Sequence, residues 1–333
     1  MIRAAFGFGR ASLRVALAML AASLSNQTAA EPDRLDIAVV MAPESEAGWD
    51  VSFRRALTRF EAARPEDHDI RVEIFAPASK RLAELAQSGE FDVIWAHSHA
   101  SDRVAPLMKA HPEILFVVAG AGNRPLGANQ YWVMKRLHEP SFLLGALAAR
   151  LSEGGVIGVV GTVPYEDVND QINAFIAGAR TARADATPLV AFIDAWSGPE
   201  KVETTTRALA ERGADAVFRL APGLSDCAVF GVVCFGNFVA RQGEAGAALA
   251  LWEADLRAVA ALWRSGPPYD APREGRWLGL AEGGAALALS PDAIPASIRA
   301  EIAALEAEIL SGARAVAIDP SPPPRTDPGR GAQ

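Results

Sequence analysis

Short apolar runs alternate with amphipathic helical patterns along most of this chain, and this alternation limits its fold more than any other feature. Runs such as Leu35–Met41, Ile114–Ala119 and Val156–Val160 are almost entirely apolar, which is typical of strands covered on both faces of a sheet. The segments between them repeat apolar residues at helical spacing. Strands separated by helices pair in parallel through right-handed crossovers, so the sequence predicts an α/β fold.

The pattern restarts midway, after a helix expected at Pro140–Leu151, and about 300 residues exceed what one core usually holds. We therefore expect two doubly wound parallel-sheet lobes with a ligand cleft between them. Lobe 1 is predicted to contain residues 31–135 and about 240–290, and lobe 2 residues 136–239 and about 291–318. Strands are expected at 35–41, 71–75, 91–95, 114–119, 156–160, 189–193, 216–220, 231–235, 277–280 and 285–289.

The two ends of the chain differ from this pattern. Arg3, Arg10 and Arg14 precede an apolar stretch of about ten residues and the small pair Ala29-Ala30. This order is typical of a secretory signal peptide, and the stretch is shorter than the roughly 20 residues that a membrane anchor needs. We expect a signal peptide at 1–30, cleavage after Ala30, no lipid attachment and a periplasmic location. The proline-rich residues 319–333 are expected to be a disordered tail.

Charge and motif content exclude several classes of function. Removal of residues 1–30, which carry three arginines and no acid, lowers the formal net charge from −8 to −11. An acidic chain of this kind repels phosphate backbones, so we expect no nucleic-acid partner. The mature sequence has neither a Walker A loop nor a Gly-x-Ser-x-Gly elbow nor a Gly-x-Gly-x-x-Gly after a strand. We therefore expect no cofactor, no catalytic residue and a binding protein in place of an enzyme.

Two cysteines, Cys227 and Cys234, are present in a chain expected to meet oxidising conditions. Their spacing closes a small loop, but spacing alone does not show whether the two side chains meet. A disulfide and a pair of buried thiols both remain open at this point.

Candidate binding residues follow the strands of lobe 1, because ligands of open parallel sheets bind beyond the carboxyl ends of the strands. Trp49 and Phe53 lie one helical turn apart after the first strand, and Asp50 stands between them at the start of the helix. His97 and His99 follow the third strand and share a face if the chain stays extended. Two histidines do not complete a zinc site, so we expect hydrogen bonding to a ligand and no metal.

Lobe 2 offers a second set of candidates at its own strand ends. Tyr165 follows one strand, Trp196 precedes a Gly-Pro helix start after another, and Asn237 lies near the end of a third. Tryptophan rings stack on planar groups, so we expect a flat, mostly uncharged solute between Trp49 and Trp196.

Several segments, in register, resemble the basic membrane protein (BMP) or PnrA-like family of substrate-binding proteins of ABC importers. The resemblance covers about Leu35 to Asp319. The segments that carry it are GWDVSF (48–53), FDVIWAHSHASDRVAPLMKAHPEILFV (91–117), EPSFLLGALAARLSEGGVIGVVG (139–161), INAFIAGAR (172–180), AWSGPEK (195–201), ALAERGADAVF (208–218) and WLGLAEGGAALALSPDAIPASI (277–298).

The resemblance implies a type I periplasmic-binding fold, an inner-membrane ABC permease as partner, a monomer, and a ligand such as a purine base or nucleoside. It places Trp49, Phe53, Trp196 and the loop His97–His99 along the cleft. The chain departs from the family at Phe235–Arg241, which has no acid where one is usual, and at Gly198, where aspartate is frequent. A ligand sensor without a transport role and a metal-dependent periplasmic hydrolase using the two histidines are the alternative functions.

Overall fold

A computed structural model describes residues 34–63, 69–99, 101–275 and 278–326. The predicted signal peptide and its cleavage site lie outside these residues. The strands are β1 Arg34–Val40, β2 Asp69–Phe75, β3 Val93–His97, β4 Leu115–Ala119, β5 Gln130–Val133, β6 Val156–Gly161, β7 Thr187–Phe192, β8 Ala216–Arg219, β9 Val233–Phe238, β10 Glu244–Ala250 and β11 Ala285–Leu289. The helices are α1 Gly48–Ala63, α2 Arg81–Ser88, α3 Ser101–Ala110, α4 His138–Leu151, α5 Glu166–Ala182, α6 Pro199–Glu211, α7 Glu253–Arg264 and α8 Ala296–Leu310.

Lobe 1 is built on a five-stranded sheet of order β2-β1-β3-β4-β5, in which every pairing is parallel. Its central strands β3 and β4 are buried along their whole length. One face packs against α1 and α7, and the other packs against α2 and α3. Coverage on both faces explains why these strands read as uninterrupted apolar runs.

Lobe 2 is built on a six-stranded sheet of order β11-β10-β9-β8-β6-β7, parallel except for the edge pair β10–β11. Helices α4, α5 and α8 cover one face, and α6 covers the other. The predicted class, two lobes of mostly parallel α/β structure, is confirmed.

The lobe assignment of residues 240–290 needs correction. We expected this segment in lobe 1, but β10 and β11 belong to the sheet of lobe 2. Only the segment around α7, from Trp252 to Ala271, packs in the core of lobe 1. β5 and β10 were absent from the predicted strands. A further strand was expected at 277–280. Residues 278–280 form no strand, and Trp277 lies outside the described residues.

Within the described residues the chain passes between the two sheets three times, after β5, after β10 and before β11. Lys135 in the first passage is buried, donates a hydrogen bond to the carbonyl of Leu251 in the second, and forms an ion pair with buried Asp255 of α7. Burial lowers the pKa of Lys135, and the Asp255 carboxylate opposes that effect. This buried pair ties two of the passages together.

Cys227 and Cys234 form a disulfide, which answers the question that the sequence left open. Cys227 begins a short 3-10 helix, Cys227–Phe230, and Cys234 lies in β9. Both residues are buried. The bond fixes the segment before β9 onto the sheet of lobe 2.

The first part of the predicted disordered tail packs against lobe 2. The Asn173 side chain of α5 donates hydrogen bonds to the carbonyls of Asp319 and Ser321. The backbone N–H of Thr326 donates to the carbonyl of Val190 in the edge strand β7, and the N–H of Val190 donates to the hydroxyl oxygen of Thr326. A proline-rich segment without a core of its own is therefore held by polar groups of the lobe, and residues 327–333 lie outside the described structure.

No helix within the described ranges is both long enough and apolar enough to cross a lipid bilayer.

Candidate functional site

A cavity of about 440 Å³ lies at the carboxyl edge of the sheet in lobe 1. Segments that follow β1, β2 and β3 meet there, as expected for an open parallel sheet. Its lining residues are Met41, Ala42, Asp50, Pro77, His97, Ser98, His99 and Arg103. The structure thus brings together three of the predicted site residues: Asp50, His97 and His99.

His97 and Asp50 form the polar centre of this cavity. His97 is buried at the end of β3, with 2% of its surface exposed. Its Nε2 lies 3.1 Å from Oδ1 of Asp50, but the contact is not aligned as a hydrogen bond. Its Nδ1 has no hydrogen-bond partner among the described residues. A buried imidazole with an unused ring nitrogen is available to a polar ligand atom.

The pKa values of this pair move in the same direction. Burial lowers the pKa of His97 below its usual 6.5, and the Asp50 carboxylate offsets this only in part. Burial raises the pKa of Asp50, but contacts with His97 and Ser45 and the charge of Arg54 outweigh it, so this pKa is lowered. At neutral pH the cavity therefore holds a neutral imidazole beside a carboxylate.

His99 does not extend the face of His97 in the way the sequence predicted. Ser98 between them has a φ of 58°, so the strand alternation ends at His97. Nδ1 of His99 contacts the backbone carbonyl of His97 at 2.7 Å. His99 consequently lies on the cavity rim, partly exposed.

Aromatic rings form a cluster beneath the cavity. Phe53 is 0% exposed and stacks on His97, with ring centroids 4.5 Å apart and planes at 4°. It also stacks on Trp95 of β3 at 4.6 Å. Trp252, before α7, packs on Phe53 and donates its indole N–H to the hydroxyl of Ser52. Phe53 was predicted to face the ligand, but here it packs in the core and supports the imidazole.

Trp49 lies at the edge of this cluster and is partly exposed. Its ring stacks on His97 at 5.3 Å and meets the ring of Trp252 edge-on at 4.6 Å. Its indole N–H donates to the hydroxyl of Ser98. Phe238 at the end of β9 contacts it from lobe 2. Sequence reasoning missed both Phe238 and Trp252.

The predicted rings of lobe 2 are exposed at the carboxyl edge of its sheet. Trp196, which follows β7, is 55% exposed, and Tyr165, which follows β6, is 53% exposed. Their ring centroids are 5.4 Å apart. Large aromatic side chains usually bury most of their area, so two adjacent exposed rings mark a surface available to an apolar or planar ligand.

Asn237 in β9 is 3% exposed, and its side-chain oxygen has no hydrogen-bond partner among the described residues. A buried amide oxygen of this kind usually has a donor. Asn237 is one of the candidate binding residues, and in this position its side-chain oxygen is available to accept a hydrogen bond from a ligand.

Within the described ranges, no three or more His, Cys, Asp or Glu side chains are grouped so that they could hold a metal ion.

Comparisons with known proteins agree with this architecture. Over 148 residues, 44% of the chain, it is 29% identical to a putative ABC transporter glucose-binding protein of Haloferax volcanii. Over 142 residues, 43% of the chain, it is 25% identical to a purine-binding protein of Brucella abortus. The matched segments span only 37% and 40% of these two relatives.

A solved structure of an ABC transporter solute-binding protein from Conexibacter woesei superimposes with a TM-score of 0.66 and 17% identity. It covers 85% of this chain and 99% of its own, and it supports the type I periplasmic-binding fold. The sequence model of the Bmp family, described as ABC transporter substrate-binding protein PnrA-like, matches residues 47–232. That match spans more than half of the sequence, and the chain therefore belongs to the PnrA-like family of ABC transporter substrate-binding proteins.

Proposed function

We propose that this protein captures a small planar solute, a purine base or nucleoside, in the periplasm and delivers it to an ABC permease. The observation that carries the proposal is the placement of two complementary surfaces. A polar cavity lies at the strand ends of lobe 1, and the exposed rings of Tyr165 and Trp196 lie at the strand ends of lobe 2. Ligands of open α/β sheets bind at these edges.

The chemistry of the two surfaces suits a heterocycle. Tyrosine and tryptophan rings stack on flat groups, and such contacts contribute beyond the area that they bury. His97, held neutral by burial, offers a ring nitrogen, and Asp50 accepts hydrogen bonds from hydroxyl or amino groups. A ligand with a flat ring and several hydrogen-bonding edges satisfies both surfaces. The purine-binding relative supports this class, whereas the glucose-binding relative supports a sugar.

Calorimetry on the purified mature protein tests the ligand class. Adenosine, guanosine, inosine and their bases are titrated beside glucose and ribose. We expect binding of at least one purine compound and a weakening of roughly 10- to 100-fold in Trp196→Ala or Tyr165→Ala, since a buried aromatic contact contributes about 1–3 kcal/mol.

The control is Leu310→Ala, which removes another exposed apolar side chain at the end of α8. It should bind like the wild type. Preference for a sugar, or unchanged purine affinity in both folded aromatic variants, would contradict the proposal.

A further inference from the structure

The backbone at the end of β9 is strained. Phe238 has a φ of 65°, a region that bulky side chains rarely adopt. The N–H of Val239 donates to the carbonyl of Asn237 at 2.9 Å, which closes a three-residue turn around Phe238. A γ-turn with positive φ at its centre is the rare, strained form. Such strain persists only where surrounding contacts hold it, and it concentrates at binding sites and switches.

The side chain of Phe238 provides one of those contacts across the two lobes. Its ring meets Trp49 of lobe 1 edge-on, with centroids 5.8 Å apart and planes at 78°. Trp49 also stacks on His97 and meets Trp252. Trp49 therefore contacts rings of both lobes, and Phe238 is the ring that lobe 2 contributes.

Gly48 allows the same approach of the two lobes. A Cβ at this position would lie 3.0 Å from the carbonyl oxygen of Asn237 and 3.1 Å from Cβ of Phe238. Gly48 begins α1 in lobe 1, and the turn around Phe238 ends β9 in lobe 2. Any larger residue at Gly48 would push these two segments apart.

We propose that Phe238 is a specificity-determining gate residue. Its ring occupies a position beside Trp49 that a planar ligand would otherwise use, and it holds the lobes together there. A ligand must displace this ring to contact Trp49. The choice of a planar ligand rests on the proposed function, whereas the contact between Phe238 and Trp49 is independent of it.

The need to displace the Phe238 ring also determines which solutes can bind. Solutes that cannot replace the aromatic contact, such as small sugars or ions, gain too little from Trp49 to open the gate. A heterocycle can exchange one ring contact for another. The side-chain oxygen of Asn237, the residue before Phe238, is buried without a hydrogen-bond partner among the described residues and is available to accept one.

Two variants test the gate by different physical routes. Phe238→Gly removes the ring and also relieves the positive φ, whereas Gly48→Ala keeps both rings but inserts a methyl group against Cβ and Cδ2 of Phe238. Hydrogen exchange of the first turn of α1 and small-angle scattering are measured without ligand, and inosine affinity is measured by calorimetry. Phe230→Ala and Gly154→Ala are the matched controls, because Phe230 is a partly buried ring elsewhere in lobe 2 and a Cβ on Gly154 would meet its nearest atom at an ordinary contact distance of 3.6 Å.

We expect faster exchange at residues 48–53 in both gate variants, but in neither control, and a larger radius of gyration in Phe238→Gly. Inosine should bind about tenfold more tightly to Phe238→Gly, on the scale of one aromatic pair. Unchanged exchange and scattering in both gate variants, or weaker inosine binding in Phe238→Gly, would overturn the proposal. Faster exchange in the gate variants of a protein that binds no purine would support the gate and reject the proposed ligand.

Discussion

At the scale of single residues, side chains of the same chemical type differ widely in their exposure. Trp49, Phe53 and Trp196 are all large aromatics after strands, yet Phe53 is enclosed in the core and Trp196 is exposed. Phe53 is enclosed because it lies one helical turn further into α1 than Trp49 and faces the sheet. His97 is polar but buried, and its ring is held between Phe53 and Trp49. The cavity is therefore supported by aromatic packing beneath its polar groups.

The buried imidazole of His97 predicts a pH dependence of stability. Its pKa is lowered in the folded state, so the unfolded chain takes up a proton more readily below pH 6.5. The free energy of unfolding should then fall as the pH drops from 7.5 to 5.5, by up to about 1.4 kcal/mol per pH unit for one proton. Urea unfolding at several pH values should show a smaller slope in His97→Gln than in the wild type.

His138 has a similarly lowered pKa through burial, so a residual slope remains in that variant. His111→Gln, which changes a partly exposed histidine in lobe 1, serves as the control. Equal slopes in wild type and His97→Gln would show that the burial of His97 has no energetic consequence.

At the scale of elements, close packing of α4 on α5 organises lobe 2. A Cβ on Gly145 would lie 1.8 Å from the carbonyl oxygen of Phe175, and a Cβ on Gly178 would lie 1.8 Å from that of Phe142. Each glycine thus lets the other helix approach to backbone contact. The two helices also carry much of the core of lobe 2.

Gly178→Ala should consequently destabilise the protein by several kcal/mol. The added methyl group must move a backbone carbonyl, and overpacking of this kind typically costs about 1–3 kcal/mol or more. Thermal or urea unfolding measures the loss. Gly154→Ala, where the nearest atom to a Cβ lies at 3.6 Å, should stay close to the wild type. A Gly178→Ala protein as stable as that control would mean that the helices can separate at little cost.

At the scale of the whole molecule, one buried ion pair links two of the passages between the lobes, and one aromatic contact joins the lobes themselves. Lys135 joins the first two passages, and Phe238 with Trp49 joins the lobes beside them. Hinge motion between two doubly wound lobes is a common response to ligands. These contacts are the ones that such a motion would change.

Export is the prediction that concerns the complete chain. If residues 1–30 are a signal peptide, protein recovered from the periplasm begins at Glu31. Intact-mass spectrometry of the periplasmic fraction checks this, with the cytoplasmic precursor as reference. A periplasmic protein that begins at Met1 would refute cleavage after Ala30.

The sequence by itself determined the fold class, because strands buried on both faces must be apolar and the helices between them must be amphipathic. It also predicted Asp50, His97 and His99 as candidate binding residues, and the structure places them around one cavity, since residues after parallel strands gather at one edge. It did not identify β10, whose sequence EAGAALA is rich in alanine and lacks β-branched residues, so only pairing with β9 and β11 makes it a strand.

Tertiary structure alone decided the remaining features. The lobe to which β10 and β11 belong depends on which sheet edge is free to pair with them. The packing of the proline-rich tail depends on hydrogen bonds with Asn173 and Val190, which lie far from it in sequence. Phe238 reaches Trp49 only because a glycine lies opposite and the backbone turns with a positive φ. Contacts between residues far apart in sequence set these features, and local periodicity carries no information about them.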